Sequence, residues 1–215
     1  MVKKFVFVCL LFAANACFAG NQKEEALSNS VKAMMQKSIS DLAAPKLLFA
    51  NEAEGQAWMQ EMSSRLKKRL PDATYREEFL RSVHYEATRA GLDPQMVLGL
   101  IHVESGFKKY AVSSVGARGY MQVMPFWVRS IGTSDQNLFN LRLNLRYGCT
   151  RLRPYVDSER GDLYRAIGRY NGSLGKPQDP NLVLGAWRKN WHYTAPMVQA
   201  TTQTTQQAAA QAAFK

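Results

Sequence analysis

The sequence is poor in cysteine and carries no recognisable metal or nucleotide motif. Two of its three cysteines, Cys9 and Cys17, lie near the N-terminus, so loss of that segment would leave Cys149 alone. A lone cysteine excludes an internal disulfide, and we interpret Cys149 as a small buried helix residue rather than a nucleophile. No zinc-ligand spacing, phosphate-binding loop or basic-aromatic pattern for single-stranded nucleic acid is present. The sequence predicts no metal, no cofactor and no nucleic-acid partner.

Acidic residues are also scarce relative to basic ones. There are 17 Asp and Glu residues against 28 Lys and Arg, and the formal net charge is +11, or +9 without Lys3 and Lys4. A basic surface favours an anionic partner. For an exported chain, a cell-wall polymer or a membrane surface fits this charge better than nucleic acid does.

The N-terminal segment has the layout of a secretory signal peptide. Two lysines precede an apolar stretch at residues 5–14, and small residues precede Gly20. The stretch is too short to span a bilayer comfortably. We predict cleavage after Ala19 and export. A retained anchor helix and lipidation at Cys17 are the alternatives.

Apolar residues at helical spacing predict helices along most of the chain. The predicted helices lie over residues 24–42, after Asn51, from Asp72 to Gly91, from Asp93 to Gly106, near Pro125, from about Asn140 and from Asp162. A loop or small hairpin is predicted at 108–119 and a loop at 172–181. The predicted organisation is a signal peptide at 1–19, an N-terminal helical extension at 20–71, a domain at 72–199 and a disordered, low-complexity tail at 200–215.

One carboxylate, Glu104, lies on an apolar helical stripe. Val97, Leu100, Ile101 and Glu104 follow one another at i, i+3, i+4 and i+7. Burial beside these side chains and the negative end of the helix dipole should both raise the pKa of the carboxyl group. A carboxylic acid that stays protonated near neutral pH can act as a general acid toward a glycosidic oxygen. The alternative is a glutamate that ends a helix with its head in water.

Few other acids are available after Glu104. Asp135 is the only one before Asp157, and the cluster of Asp157, Glu159 and Asp162 lies among arginines as expected for helix-end charges. Most glycosidases use two carboxylates, one as acid and one as base or nucleophile. A sugar-cleaving enzyme with this sequence would therefore have a single catalytic carboxylate.

Four short motifs in order carry a resemblance to a known family. They are Glu104-Ser105, Ser113-x-x-Gly116-Ala117-x-Gly119-x-Met121-Gln122-x-Met124-Pro125, Asn144-x-x-x-Gly148 and Tyr170-Asn171. Over roughly residues 75–191 they resemble the lytic transglycosylases related to the soluble lytic transglycosylase, the SLT-domain family. The resemblance implies a mainly α, lysozyme-like fold with a small irregular or hairpin region, preceded by N-terminal helices. It also implies a periplasmic monomer acting on peptidoglycan glycan strands, with peripheral association with the membrane or other cell-wall proteins left open.

The chemistry implied by the resemblance needs one carboxylate. The family cleaves the β-1,4 bond between N-acetylmuramic acid and N-acetylglucosamine without consuming water and leaves a 1,6-anhydromuramoyl end. Glu104 would protonate the glycosidic oxygen and then take the proton of the muramoyl 6-hydroxyl as that oxygen attacks C1. The substrate's N-acetyl group would stabilise the intermediate.

The resemblance also implies roles for six further residues. Ser113 and Gln122 would bind the N-acetyl group and sugar oxygens, and Met124 would pack against a sugar face. Tyr170 would donate a hydrogen bond to the glutamate or to the N-acetyl carbonyl. Asn171 would fix the adjacent turn. Ser105, which follows the acid, would secure the helix end.

The sequence departs from the family pattern in ways that leave some questions open. Tyr120 replaces the usual Leu, Arg169 replaces the usual Ala, and no acid except Asp179 follows the Tyr-Asn pair, so the Glu-Thr-Arg segment of many relatives is missing. Trp187 and Trp191 could take its place in the groove. Exo- or endo-action stays open. The alternative functions are a lysozyme-type muramidase, which uses water as nucleophile, and an inactive cell-wall-binding or assembly scaffold.

Overall fold

The computed structural model describes residues 27–194, apart from residues 42, 44 and 48. The predicted signal peptide and the predicted C-terminal tail lie outside the described residues. Within the described part the chain forms eight α-helices, one π-helix and two isolated β-bridges, without a β-strand. This confirms the predicted mainly helical class, which is consistent with a lysozyme-like fold. Over the same residues, none of the helices combines the length and apolar character needed to cross a membrane.

The helices follow one another with short connections. They are α1 (Asn29–Ser40), α2 (Glu52–Leu66), α3 (Ala73–Arg89), α4 (Pro94–Glu104), α5 (Phe126–Ile131), α6 (Leu141–Ser158), α7 (Leu163–Tyr170) and α8 (Gln178–Ala186), and the π-helix Trp187–Trp191 continues α8. The two bridges, Val112 with Arg118 and Arg118 with Val123, form the predicted irregular region between α4 and α5.

Side-chain caps begin most of the helices where the sequence predicts them. Asn51, Asp72, Asp93, Asn140 and Asp162 each accept a backbone N–H from the first turn of the helix that follows. Such caps satisfy donors that have no partner within the helix. The predicted starts of α2, α3, α4, α6 and α7 are confirmed.

Two predicted boundaries are wrong. The first helix is shorter than 24–42, because Ser28 accepts the N–H of Val31 as its N-cap and Asp41 lies beyond its end. The predicted loop at 172–181 is also shorter, because α8 begins at Gln178. Pro180 is compatible with this helix, since a proline in the first turn lacks an N–H that would have no intrahelical acceptor.

The helix that carries Glu104 lies at the centre of the packing. α4 packs against α3, α8 and the π-helix, while α7 lies between α6 and α8. Gly99 permits α4 and the π-helix to approach closely, because a Cβ there would lie 2.8 Å from Trp187 Cβ and 3.0 Å from Trp187 Cα. A larger residue at Gly99 would therefore push the π-helix off α4.

A buried ion-pair network ties the N-terminal helices to the rest of the fold. On α3, the Glu86 carboxylate accepts from Arg146 of α6 at 2.9 Å and from Arg89 at 3.0 Å. Arg146 also donates to the main-chain oxygens of Ile39 and Asp41, at the end of α1. α1 packs on α5 and α6, and α2 packs on α3. The domain boundary at residue 72 stays a prediction.

Cys149, which was predicted to be a buried helix residue, lies in the core, and so does His84. Cys149 is buried, its Sγ lies 4.0 Å from Met121 Sδ, and burial raises the pKa of its thiol. His84 packs against the rings of Phe49 and Trp58, and burial lowers its pKa to about 4. Neither group is charged near neutral pH, as expected for side chains that contribute packing.

The suggestion that Trp191 forms part of a groove is wrong. Its ring packs on Phe107 with centroids 5.1 Å apart, and its indole N–H donates to His102 Nδ1 at 3.3 Å. The side chain is buried. Trp191 therefore anchors the π-helix to α4 and to the turn that follows α4.

Candidate active site

Glu104 is the last residue of α4, and the residues after it turn the chain sharply. The Ser105 hydroxyl donates to the carbonyl oxygen of Ile101 at 3.2 Å, which closes the last helical turn as predicted. Gly106 and Phe107 follow with φ of 58° and 67°, in the left-handed region. The helix thus ends inside the protein, where the Glu104 side chain is buried with 2% exposure.

The surroundings of Glu104 favour its protonated form. Burial is the largest influence, and together with the negative charge of Asp179 it raises the pKa of the carboxyl group to about 8. The positive charge of Arg151 and a side-chain hydrogen bond from Asn171 act in the opposite direction. The predicted direction is confirmed, and the alternative of a solvated helix-end glutamate is wrong. At neutral pH most of this group carries a proton that it can donate.

The predicted pair Tyr170 and Asn171 lies at the end of α7, beside Glu104. Asn171 is the C-cap of α7 and is buried, and its side chain bonds to the glutamate. The Tyr170 hydroxyl donates its proton to the main-chain oxygen of Met121 at 2.7 Å. The hydrogen bond of Tyr170 to the glutamate or to the N-acetyl carbonyl stays a prediction. Asn171, which was expected only to fix the turn, therefore also bonds to the acid.

Three of the sequence motifs meet at the Met121 peptide. Its N–H donates to Asn144 Oδ1 at 2.8 Å, and its carbonyl accepts from the Tyr170 hydroxyl. Gly148, one turn beyond Asn144, leaves room for the Met121 side chain, since a Cβ there would lie 2.3 Å from Met121 Sδ. The spacing of the motif Asn144-x-x-x-Gly148 thus has a structural cause, because one helical turn holds both the backbone and the side chain of Met121.

Gln122 has a strained backbone and a buried side chain. Its φ is 47°, in the region that side-chain-bearing residues seldom adopt. Its Nε2 donates to the carbonyls of Gly119 at 2.9 Å and of Ala111 at 3.2 Å. Strain of this kind persists where the surroundings hold it and often marks functional sites. The predicted contact of Gln122 with a sugar stays a prediction.

Ser113 and Met124 lie in the same irregular region. The Ser113 hydroxyl accepts the N–H of Ala117 at 3.1 Å and so closes the turn that joins Val112 to its bridge partner Arg118. Met124 is half-buried and packs against the core, with part of its side chain accessible. The structure gives Ser113 a role in the loop, and the substrate contacts of both residues stay predictions.

Sequence reasoning missed Arg151, which is buried with 2% exposure beside this site. Its guanidinium carbon lies 4.5, 5.0 and 5.5 Å from the ring centroids of Tyr170, Trp127 and Tyr155. Nη2 donates to the main-chain oxygen of Tyr170 at 2.9 Å. A signal was present, because Arg151 follows the motif residue Gly148 by three residues and so lies on the same face of α6.

Asp179 is the second charged residue missed near Glu104. It lies half-buried in the first turn of α8. No helical register was expected for Asp179, since its segment was predicted to be a loop. In the described part of the chain, no three His, Cys, Asp or Glu side chains are grouped as ligands for a metal ion.

The other acids considered from the sequence have local partners. Asp157 pairs with Arg153, and Asp162 caps α7. Glu159 pairs with Arg165 and Arg169. The carboxylate that influences Glu104 is Asp179 instead.

Comparison with known proteins points to one family. Residues 81–182 match the model of the transglycosylase SLT domain. A transglycosylase of Enterobacteria phage PRD1 is 36% identical over 85 residues, which cover 40% of this chain and 31% of that protein. Membrane-bound lytic murein transglycosylase C of Histophilus somni strain 2336 is 33% identical over 115 residues, 46% of this chain and 32% of that protein. The chain covers about a third of the length of these relatives.

Among solved structures, an inactive mutant of the lytic transglycosylase Slt from Pseudomonas aeruginosa aligns with 74% of this chain and 40% of that chain, at 17% identity and a TM-score of 0.40. The SLT match includes Glu104 and all four motifs described above. The match over residues 81–182 supports the resemblance to the transglycosylase SLT domain that the sequence motifs predict.

Proposed function

We propose that this protein is a peptidoglycan lytic transglycosylase with Glu104 as its single general acid and base. The observation that carries the proposal is a buried carboxyl group with a pKa of about 8, placed at a helix end within the SLT match. A group with such a pKa is mostly protonated at neutral pH, and it regains a proton readily after giving it up. Both properties are needed by a residue that acts first as acid and then as base.

The first step breaks the glycosidic bond. Glu104 transfers its proton to the oxygen between N-acetylmuramic acid and N-acetylglucosamine, and the electron pair of the C1–O bond goes to that oxygen. The muramoyl C1 becomes electron-poor, and the carbonyl oxygen of its own N-acetyl group stabilises it. No second protein carboxylate is required for this step.

The second step closes the anhydro ring. The muramoyl 6-hydroxyl oxygen attacks C1, and its proton passes to the Glu104 carboxylate, which restores the acid. The hydrogen bond between Asn171 and Glu104 supports this cycle, because it fixes the direction of the carboxyl group. The Met121 peptide, held by Asn144 and Tyr170, fixes the position of Gln122 beside it.

The proposed partner is the peptidoglycan glycan strand in the cell envelope. Relatives of this chain include proteins named membrane-bound lytic murein transglycosylase C, which supports that location. The net charge of +11 also suits a polymer that carries carboxylates on its peptides. Periplasmic location after signal cleavage and a monomeric state are parts of the same proposal.

Product mass tests the reaction directly. The full chain is incubated with purified peptidoglycan, and the soluble muropeptides are analysed by mass spectrometry. We expect each product to weigh one water less than the corresponding muramidase product, as an anhydro end requires. Hydrated products would refute the transglycosylase reaction, and the absence of any product, with folded protein, would favour a wall-binding scaffold.

Asp179 favours a second candidate, a muramidase. Its charge acts on Glu104, so a second carboxylate is near enough to influence the acid electrostatically. A two-carboxylate hydrolase would use such a residue to activate water. Asp179→Asn would then abolish activity as completely as Glu104→Gln, and wild-type products would be hydrated. If Asp179 only influences the charge on Glu104, Asp179→Asn keeps turnover and the anhydro products.

A further inference from the structure

Among the buried arginines of the described residues, Arg151 is the one whose charge acts on Glu104, and the proposed reaction does not yet use it. We propose that Arg151 is a positioning residue that stabilises the carboxylate formed when Glu104 gives up its proton, and that it does so from a cage of three aromatic rings. This inference rests on the proposed role of Glu104. It adds a fixed positive charge to a site in which substrate otherwise supplies the reacting groups.

The geometry holds the guanidinium in one place. The rings of Trp127 from α5, Tyr155 from α6 and Tyr170 from α7 surround it at 4.5 to 5.5 Å, within the range of cation–π attraction. One donor, Nη2, is bonded to the carbonyl of Tyr170, and Nε and Nη1 have no hydrogen-bond partner among the described residues. Since Asn171 follows Tyr170 directly, this bond also fixes the turn that brings Asn171 to the glutamate.

The reaction explains why a cation would be kept there. Glu104 is buried, so the carboxylate left after proton transfer has lost its solvation and is costly. A positive charge that is already fixed lowers that cost in the transition state without reorganising. Because Arg151 is not the proton donor, it can contribute this field in both steps.

The negative charge of Asp179 opposes the effect of Arg151 on the ionisation of Glu104. Among the described residues outside α4, Arg151 on α6, Asp179 on α8 and Tyr170 on α7 act electrostatically with Glu104. Asp179 favours the protonated acid and Arg151 favours the carboxylate. Neutralising Arg151 should therefore raise the pKa of Glu104, and neutralising Asp179 should lower it. A loss of packing alone would not produce these opposite shifts.

The test uses a matched pair of neutral variants and one charge-preserving control. Arg151→Met keeps an apolar stem between the rings but removes the charge, Asp179→Asn removes the opposing charge, and Arg151→Lys keeps the charge. The ionisation of Glu104 is followed by NMR of 13C-labelled glutamate, its signal assigned by its loss in Glu104→Gln. The pH profile of kcat/KM on peptidoglycan is measured in parallel.

We expect the Glu104 titration and the alkaline limb of kcat/KM to move to higher pH in Arg151→Met and to lower pH in Asp179→Asn. Arg151→Lys should stay near wild type, and kcat should fall most in Arg151→Met. An unchanged titration in folded Arg151→Met would overturn the inference. If that variant does not fold, Arg151→Gln replaces it, since its amide can still donate to the Tyr170 carbonyl.

The two readouts separate this inference from the proposed function. A Glu104 titration that responds to Arg151 without any cleavage of peptidoglycan would leave the electrostatic link intact and refute the proposed activity. If the wild type gives anhydro products but the Glu104 titration does not change when Arg151 is substituted, the proposed activity is supported and the role of Arg151 is refuted.

Discussion

Two buried glutamates on consecutive helices have opposite surroundings. Glu86 lies on α3 and Glu104 ends α4, and both side chains are shielded from solvent. Glu86 meets two guanidinium groups, from Arg146 and Arg89, at 2.9 and 3.0 Å. Burial dominates the surroundings of Glu104 and raises its pKa to about 8.

This difference shows how one residue type serves two purposes in one fold. Charge-assisted hydrogen bonds from two arginines stabilise the Glu86 carboxylate, so that its negative charge joins α3 to α6. At Glu104 the positive charge of Arg151 is outweighed by burial and by Asp179, so the proton stays on. A buried carboxylate held by arginines contributes to the fold, whereas a buried acid that keeps its proton can do chemistry.

Removing the proton of Glu104 should have the largest effect. Glu104→Gln keeps the shape and the neutral charge of the folded group but cannot donate a proton. We expect turnover of peptidoglycan to fall by about 10²- to 10⁴-fold or more. Circular dichroism and binding to insoluble peptidoglycan should be unchanged. Near-normal turnover in this variant would place the active site elsewhere.

The same variant should change how stability depends on pH. The pKa of Glu104 is raised from 4.5 to about 8 in the folded protein, so below pH 4.5 both states hold the proton. Between pH 4.5 and 8 the unfolded chain loses it first, and wild-type stability falls as pH rises. Above pH 8 the loss is complete.

Relative to wild type, Glu104→Gln should therefore gain on the order of 4 kcal/mol in free energy of unfolding between pH 4.5 and pH 8. Urea unfolding of both proteins across this range measures the difference and cancels the contributions of other groups. A difference that is flat with pH would mean that the folded protein does not hold the Glu104 proton.

At Glu86 the loss should appear in stability instead of chemistry. Glu86→Gln removes the carboxylate that two buried arginines share, which should lower the free energy of unfolding by about 3–5 kcal/mol. The exposed pair of Glu77 and Arg81 is a matched control, and Glu77→Gln should cost less than about 1 kcal/mol. Rates measured on folded Glu86→Gln should stay near wild type. A large loss of kcat there would contradict the division between the two glutamates.

The sequence predicts a buried charge more readily than it predicts what surrounds it. Glu86 follows Val83 by three residues on the apolar face of α3, as Glu104 follows Ile101 on α4, so both lie on stripes that indicate burial. The role of each glutamate depends on its distant neighbours. Glu86 depends on Arg146, 60 residues further along the chain, and Glu104 depends on Arg151 and Asp179. Those contacts depend on the packing of α6 and α8, which local spacing does not specify.

Local chemistry explains the parts that were predicted well. A cap such as Asp93 and a left-handed glycine such as Gly106 act within one turn, so the bounds of α4 follow from a few residues. The start of α8 was not predicted because residues 172–181 are rich in Gly and Pro, which favour a loop, although a proline in the first turn suits a helix. The contact of Asn171 with Glu104 was missed because it joins the ends of two helices.

The smallest effects on activity should come from substituting acids that do not influence the ionisation of Glu104. Asp135→Asn, Asp157→Asn, Asp162→Asn and Glu159→Gln should each keep most of the activity, since none of these carboxylates influences Glu104 as Asp179 does. Asp157 pairs with Arg153 near the surface, where such pairs contribute little. Asn caps a helix about as well as Asp, so the Asp162 variant should also fold normally.

Rates must be compared on folded protein, with wild type and Glu104→Gln measured in the same assay. If one of these four variants were as inactive as Glu104→Gln while remaining folded, a second catalytic carboxylate would exist outside the Glu104 site. Hydrated products from the wild type would then assign the protein to the two-carboxylate hydrolases. A retained rate in all four, with anhydro products, leaves Glu104 as the one carboxylate whose proton the reaction needs.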